Sequence, residues 1–520
     1  MKYWNYIKHL LLPAAIFGSL SGILTGAVIS LYRFCASHII HISGEIYAHL
    51  RTHPLWIAAA VGVMALAAFL YSNIYRRMPN LQGGGIPTSI AALRGLAPVR
   101  WVCDLLGVFT LSMGTFLLGV PLGNEGPSVQ MGTAIGAGCV RTMAKKHRAW
   151  SRYSMTGGAC AGFAAATGAP ISGILFALED AHRRLSPMII MTAFFSVVFS
   201  SVTCTLLVPV FGMDTVLFSV PALPVLSPGQ MWIPALTGLA VGMFAVLFLK
   251  YYEGIRRFIK KMLCGIPLFF KLFAVLLLTL AAGLIADDFI STGHHLIAHL
   301  LETNPPLLML IAIIFVRATL TLLANTSGMT GGLFLPIMAL GASFSAILAE
   351  FAAVLPGGSV YHSIILTLGI TACISGMMKT PITAIAFAVE ALGCHENIIP
   401  VIITAALSFT VTEIFRVESI NERVVESRLE SQRRGIKPQI VEREVTVSPR
   451  AFAVGKQVRD IFWPNNLYVL SIRHTADPAA IVAESEDKSI RAHDILRVRY
   501  TTYDPAASDE ELNAIIGDAS

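Results

Sequence analysis

The residues with the clearest capacity for chemistry form the run Gly123-Asn124-Glu125-Gly126-Pro127. The run lies between two apolar stretches, so Glu125 is expected at membrane depth. An ionised carboxylate there must find a partner or take up a proton. The flanking glycines bare backbone amides, and Pro127 can open a helix. A helix N-terminus carries unpaired N–H donors and a partial positive charge. The expected object is an anion site beside a carboxylate that titrates; the simpler alternative is a loop-exposed Glu that caps a helix. Gln82-Gly83-Gly84-Gly85-Ile86-Pro87 lets backbone approach a ligand closely, or is a plain Gly-rich loop. Gly331-Gly332-Leu333-Phe334-Leu335-Pro336 is a helix break or a third cradle of the same kind.

The elements that must position these runs follow from composition. Hydrophobic residues make up 55 % of the 520 and charged residues 13 %, with mean hydropathy +0.68. A soluble surface needs about twice that charge. Disorder, a collagen and a disulfide scaffold are excluded, which leaves a polytopic membrane protein. The net charge of +7 fits basic loops that orient helices better than nucleic-acid binding. Eight cysteines, at 35, 103, 139, 160, 204, 264, 373 and 394, make no C-x-x-C pair; they read as small hydrophobes in a reducing setting. The first apolar run reads as an uncleaved helix that starts in the cytoplasm.

Several apolar segments are shorter than the roughly 20 residues a spanning helix needs, and Gly and Pro interrupt many of them. Such helices end inside the membrane, where protein or a cavity must surround their freed backbone groups. The chain also repeats itself. Gly168-Ala169-Pro170-Ile171-Ser172-Gly173-Ile174-Leu175-Phe176-Ala177-Leu178-Glu179 matches Lys379 to Glu390 at an offset of 211, and Gly123, Pro127 and Gly132 match Gly332, Pro336 and Gly341 at 209. The halves are about 10–212 and 230–418. Paired broken helices at equivalent places point to a transporter's binding site. After residue 418 the charge density rises, and strand-like runs such as LYVLSIRH and DILRVRYTT follow. The expected organisation is a transport domain over 1–430, a charged linker over 431–445 and a small α/β domain over 446–516.

In order and spacing, the three Gly-rich runs resemble the CLC family of chloride channels and proton-coupled chloride exchangers, as do the Pro-Ile…Phe-Ala-x-Glu repeats. The resemblance covers about residues 10–430. It implies an all-helical inverted-repeat fold with broken helices, and a homodimer with one anion path per subunit in the inner membrane. It makes Glu125 the gate and proton carrier, and it puts Gly84, Gly85, Ile86, Gly123, Asn124, Gly126, Leu333 and Phe334 on the anion site. Three positions depart from the family pattern. Gly84 stands where chloride-selective members have Ser, and Asn124 replaces a basic residue, as in fluoride-exporting members. Asn421 stands where an anion-coordinating Tyr is expected. The substrate implied is chloride, with fluoride or another small anion as the alternative, and exchange with protons rather than a passive channel.

Asp180 falls where many exchangers carry the inner proton acid; its plainer role is pairing with Arg183 or Arg184. Glu179, which recurs as Glu390, suits a structural role in each half. Arg317, and Asp104 near Arg100, read as buried pairs. His294-His295 lack partners at metal-like spacing, and neither metal nor cofactor is expected. No H-E-x-x-H or G-x-S-x-G supports a membrane hydrolase. In the tail, Val454 to Ile461, Leu467 to Arg473 and His493 to Leu496 resemble the C-terminal regulatory domain of potassium-uptake regulators (RCK-C, or TrkA-C). That likeness implies a cytoplasmic dimerising module that takes a small-molecule ligand, or none.

Overall fold

The computed structural model describes residues 11–143, 145–183, 186–213, 218, 220–263, 265–354, 358–432, 437–474, 481–483 and 488–517. The helices of the first half are α1 Leu12–Thr52, α2 Ile57–Arg77, α3 Ile86–Leu93, α4 Trp101–Leu117, α5 Glu125–Met143, α6 Ser151–Thr167, α7 Pro170–Phe176 and α8 Pro187–Leu207. The second half holds α9 Trp232–Met262, α10 Leu268–Ile285, α11 His294–Glu302, α12 Leu307–Thr326, α13 Phe334–Ala353, α14 His362–Met378, α15 Pro381–Ala391 and α16 Ile398–Ile414. Among the described residues nine helical stretches are long and apolar enough to cross a membrane. Between them lie the short α3, α7 and α15, each with Pro in its first turn, where a missing N–H costs nothing. Apolar side chains such as Leu66 and Phe69 on α2, and Ile399 and Ile402 on α16, face outward, as a multi-pass membrane protein requires.

The two halves meet reciprocally. Gly123 N–H donates to Gly332 O at 2.8 Å and Gly332 N–H returns to Gly123 O at 2.7 Å, an antiparallel bridge between equivalent residues of the two repeats. Glu179, which follows α7, accepts from Ile382 N–H (3.0 Å), Thr383 N–H (2.8 Å) and Thr383 Oγ1 (2.7 Å) at the start of α15. Glu390, on α15, accepts from Ile171 N–H (2.7 Å), Ser172 N–H (2.9 Å) and Ser172 Oγ (2.8 Å) at the start of α7. Each carboxylate therefore satisfies the orphan amides of the other half's broken helix. The repeat read from the sequence is joined by this exchange.

Small residues let the helices approach. A side chain at Gly132 on α5 would meet Gly158 O at 2.0 Å, and one at Gly158 on α6 would meet Gly132 O at 2.1 Å. Close backbone packing of this kind holds helices together where lipid supplies no hydrophobic drive.

Helix α17, Ile420–Gln432, leads to a sheet of β1 Gln439–Thr446, β2 Leu467–Arg473, β3 Ile481–Ala483 and β4 Ile495–Thr502, in the order β1-β4-β2-β3, with α18 Pro505–Ile516 after it. All pairings are antiparallel. β1 lies almost wholly within the stretch that reads as linker, because the charged run Glu442-Arg443-Glu444 masks its apolar alternation. The sheet region packs on the helical domain. Tyr153 of α6 donates to Asp460 O at 2.5 Å and accepts from Phe462 N–H at 3.1 Å, and its ring lies 4.4 Å from that of Phe462.

Candidate functional site

The three Gly-rich runs converge. An ideal Cβ on Gly85, whose φ is +31°, would lie 1.8 Å from Gly126 O, and one on Gly126 would lie 2.7 Å from Gly332 Cα. Only glycine permits this approach, so the runs form one backbone-lined site. Three helices begin there: α3 at Ile86, α5 at Glu125 and α13 at Phe334. The amides of Ile86, Gly126, Leu333 and Phe334 have no backbone acceptor among the described residues. Ile86, Leu333 and Phe334 are buried, and the Phe334 ring packs edge-on against Phe163 (5.1 Å) and Phe387 (5.3 Å). Unused N–H groups at helix ends attract an anion without a fixed cation to trap it.

Glu125 is fully buried in the first turn of α5. Neither carboxyl oxygen has a hydrogen-bond partner among the described residues. The amides of Glu125 itself and Leu335 face it, and a Cβ on Gly123 would come within 2.5 Å of its Oε2. A carboxylate so placed competes with an anion for the same positive helix ends, and a proton releases it. Beside it, a cavity of about 1260 Å³ opens on Asn124 and Leu335, lined also by Arg33, His294 and His295. Asn124 is half-buried at this mouth.

Asp180 is buried at the other end of the chain's repeat motif, after α7. Its Oδ2 accepts from Asn421 Nδ2 at 2.6 Å. The sequence put these two residues in separate roles; the fold makes them partners. Arg183, expected as a partner for Asp180, pairs instead with Glu422 at 3.1 Å, and Arg94 donates to both Glu422 oxygens at 2.9 Å; Arg184 lies outside the described residues. Arg94 also donates to the Asp180 carbonyl at 3.2 Å. Arg428 of α17 reaches the first Gly-rich run, where it donates to Gln82 O and Thr88 Oγ1. Sequence reasoning missed Arg94, Glu422 and Arg428; the last two sit in the charged stretch after residue 418.

Two expected ion pairs take another form. Arg317 donates to three carbonyls, of Asp288 (2.9 Å), Ile290 (2.7 Å) and Ser291 (2.8 Å), because a buried guanidinium can be satisfied by a loop's orphan carbonyls. Asp104 accepts from the Arg100 amide at 2.9 Å, which caps α4. His294 opens α11 and stacks on Phe218 at 4.9 Å. Among the described residues no group of His, Cys, Asp or Glu is placed to hold a metal.

The family profile described as "Voltage gated chloride channel" matches residues 63–413. A curated relative, the H(+)/Cl(-) exchange transporter ClcA of Vibrio parahaemolyticus serotype O3:K6 (strain RIMD 2210633), is 29 % identical over 443 residues, 81 % of this chain and 90 % of its own length. The solved structure of a slow cyanobacterial Cl-/H+ antiporter superposes with a TM-score of 0.71 at 23 % identity, over 81 % of this chain and 98 % of that one. A CLC-type fluoride/proton antiporter superposes with a TM-score of 0.64 at 21 % identity, over 78 % and 96 %. The chain belongs to the voltage gated chloride channel family.

Proposed function

We propose, from that membership and from the site, that the protein is a chloride/proton antiporter. The observation that carries this is Glu125: a fully buried carboxylate with no hydrogen-bond partner among the described residues, set where three helices begin. Deprotonated, it occupies the place an outer anion would take; protonated, it leaves that place and carries the proton. The amides of Ile86, Gly126, Leu333 and Phe334 hold the anion, in a site lined by Gly84, Gly85, Gly123 and Asn124. Asp180 relays protons on the inner side. Asn421 holds the Asp180 carboxylate and borders the anion path, which ties the two ions' routes together. A second acid kept at 180 favours exchange; a passive channel needs only the gate.

The protein is placed in the inner membrane as a homodimer embedded in lipid, with the sheet region cytoplasmic. That region, through Tyr153, Asp460 and Phe462, rests next to the segment that carries Asp180. It acts as a regulatory domain of the RCK-C type, with or without a small-molecule ligand.

The test uses full-length protein in liposomes with a chloride gradient and an internal pH reporter. Chloride flow is expected to drive protons uphill. Chloride flux with no proton movement would make the protein a channel and Asp180 a structural acid. No chloride flux, but proton-coupled fluoride flux, would make fluoride the substrate.

A further inference from the structure

A buried donor no element of the fold uses lies at the same site. Asn325 sits at the end of α12 and is 6 % exposed. Its Nδ2 has no hydrogen-bond partner among the described residues. A buried amide without an acceptor is costly, and one that faces a site built of unused amides is placed to meet an acceptor that arrives from outside.

The direction of that amide says where. An ideal Cβ built on Gly84 would lie 2.9 Å from Gly331 O and 3.4 Å from Asn325 Nδ2. The amide therefore borders the space in front of Gly84, between the first and third Gly-rich runs. The neighbouring amides of Ile86, Leu333 and Phe334 are also without backbone acceptors. Asn325 Nδ2 and these three amides are unused donors, and an anion is the partner that fits them together.

We propose that Asn325 Nδ2 donates directly to the transported anion and helps set its selectivity. The inference rests on the anion-transport reading above and names a ligand that reading lacks. Gly84 can offer no hydroxyl, and the Gly331 carbonyl leaves no room for one; a side chain from α12 supplies the donor instead. A neutral, single-point donor rewards compact anions that accept strongly, chloride or fluoride, over large diffuse ones such as iodide.

Chloride and iodide affinities of purified full-length protein, measured calorimetrically, test this with Asn325→Leu and Asn325→Ser. Leu keeps the bulk and removes the donor. Were Asn325 only structural, that change would leave chloride affinity as it was, because it deletes an unpaired buried donor. The expected result is ~tenfold or greater loss of chloride affinity in Asn325→Leu, a smaller loss in Asn325→Ser, and a smaller change for iodide than for chloride. Unchanged chloride affinity in Asn325→Leu overturns the proposal. Absence of binding by wild type for chloride, fluoride and nitrate alike overturns the transport reading and the proposal with it. If the variants do not fold, anomalous scattering from bromide in wild-type crystals decides. A peak within hydrogen-bond reach of Asn325 Nδ2 supports the proposal; a peak at the Phe334 amide with Asn325 turned away overturns it.

Discussion

Glu125 and the pair Glu179 and Glu390 start from the same chemistry, a carboxylate beside the N-terminus of a broken helix, and end in opposite states. Glu179 and Glu390 each accept two amides and a hydroxyl from the opposite repeat. Glu125 accepts no hydrogen bond from the described residues and is buried deeper. A carboxylate whose acceptor sites are filled by its own fold is held in place by those hydrogen bonds. A carboxylate left unsatisfied is free to move and to take up a proton. The difference lies in what the fold supplies around each helix end, which the residue types alone do not show: Ser172 and Thr383 stand in one case, Gly123 and Gly332 in the other.

The sharpest way to break that contrast is to empty the satisfied sites. Glu390→Ala leaves three donors without their acceptor and is expected to destabilise the helical domain by about 3 kcal/mol, seen as a large drop in the temperature at which the detergent-purified protein loses monodispersity. Glu179→Ala should match it, because the two contacts are equivalent. Stability unchanged in either variant would place the structural carboxylates elsewhere.

Asp180 is intermediate, buried with one hydrogen bond from Asn421. Asp180→Asn is expected to cut proton movement per chloride by about tenfold while chloride still flows, since about 1.4 kcal/mol of lost relay already gives that factor. Asn421→Leu should lower coupling less than Asp180→Asn does. Full coupling in Asp180→Asn would assign the inner relay to another acid.

The docking of the sheet region offers a smaller effect. Tyr153→Phe removes the hydroxyl shared by Asp460 O and Phe462 N–H, at a cost of about 1–2 kcal/mol. Faster proteolysis between α17 and β1, with transport retained, is the expected readout. Smaller still is a pH effect within the sheet region. Lys456 is buried against Phe452, its ammonium 3.9 Å from the ring centroid, and burial pulls its pKa from 10.5 down to about 8. Above pH 8 the folded state sheds that proton while the unfolded chain keeps it to about 10.5. Stability should therefore rise with pH in that window, by about 1 kcal/mol between pH 8 and 9. Lys456→Met should flatten the profile of proteolytic resistance against pH.

Much of this was legible in the sequence where a backbone rule was at stake. Gly123, Gly126 and Pro127 against Gly332 and Pro336 gave away two helix starts and a repeat, because glycine and proline have few other uses at such spacing. The recurrence of Glu179 as Glu390 showed a shared role. That each serves the other half's helix was not visible, because the partners are some 200 residues away in the chain. Asn325 was invisible: a small polar residue after an apolar helix reads as an ordinary helix end. Arg317 was legible as buried, but its acceptors are carbonyls, which leave no mark in a sequence. β1 was hidden because three consecutive charged residues, Glu442 to Glu444, interrupt its apolar alternation.

The central claim is that Glu125 both gates the anion path and carries the proton. The direct measurement is the reversal potential of full-length protein in liposomes under a fixed chloride gradient, at several transmembrane pH differences, for wild type and Glu125→Gln. The account predicts a wild-type reversal potential that moves with the pH difference, and a Glu125→Gln protein that still passes chloride with a reversal potential fixed by chloride alone. A Glu125→Gln protein whose reversal potential still follows the pH difference would contradict it.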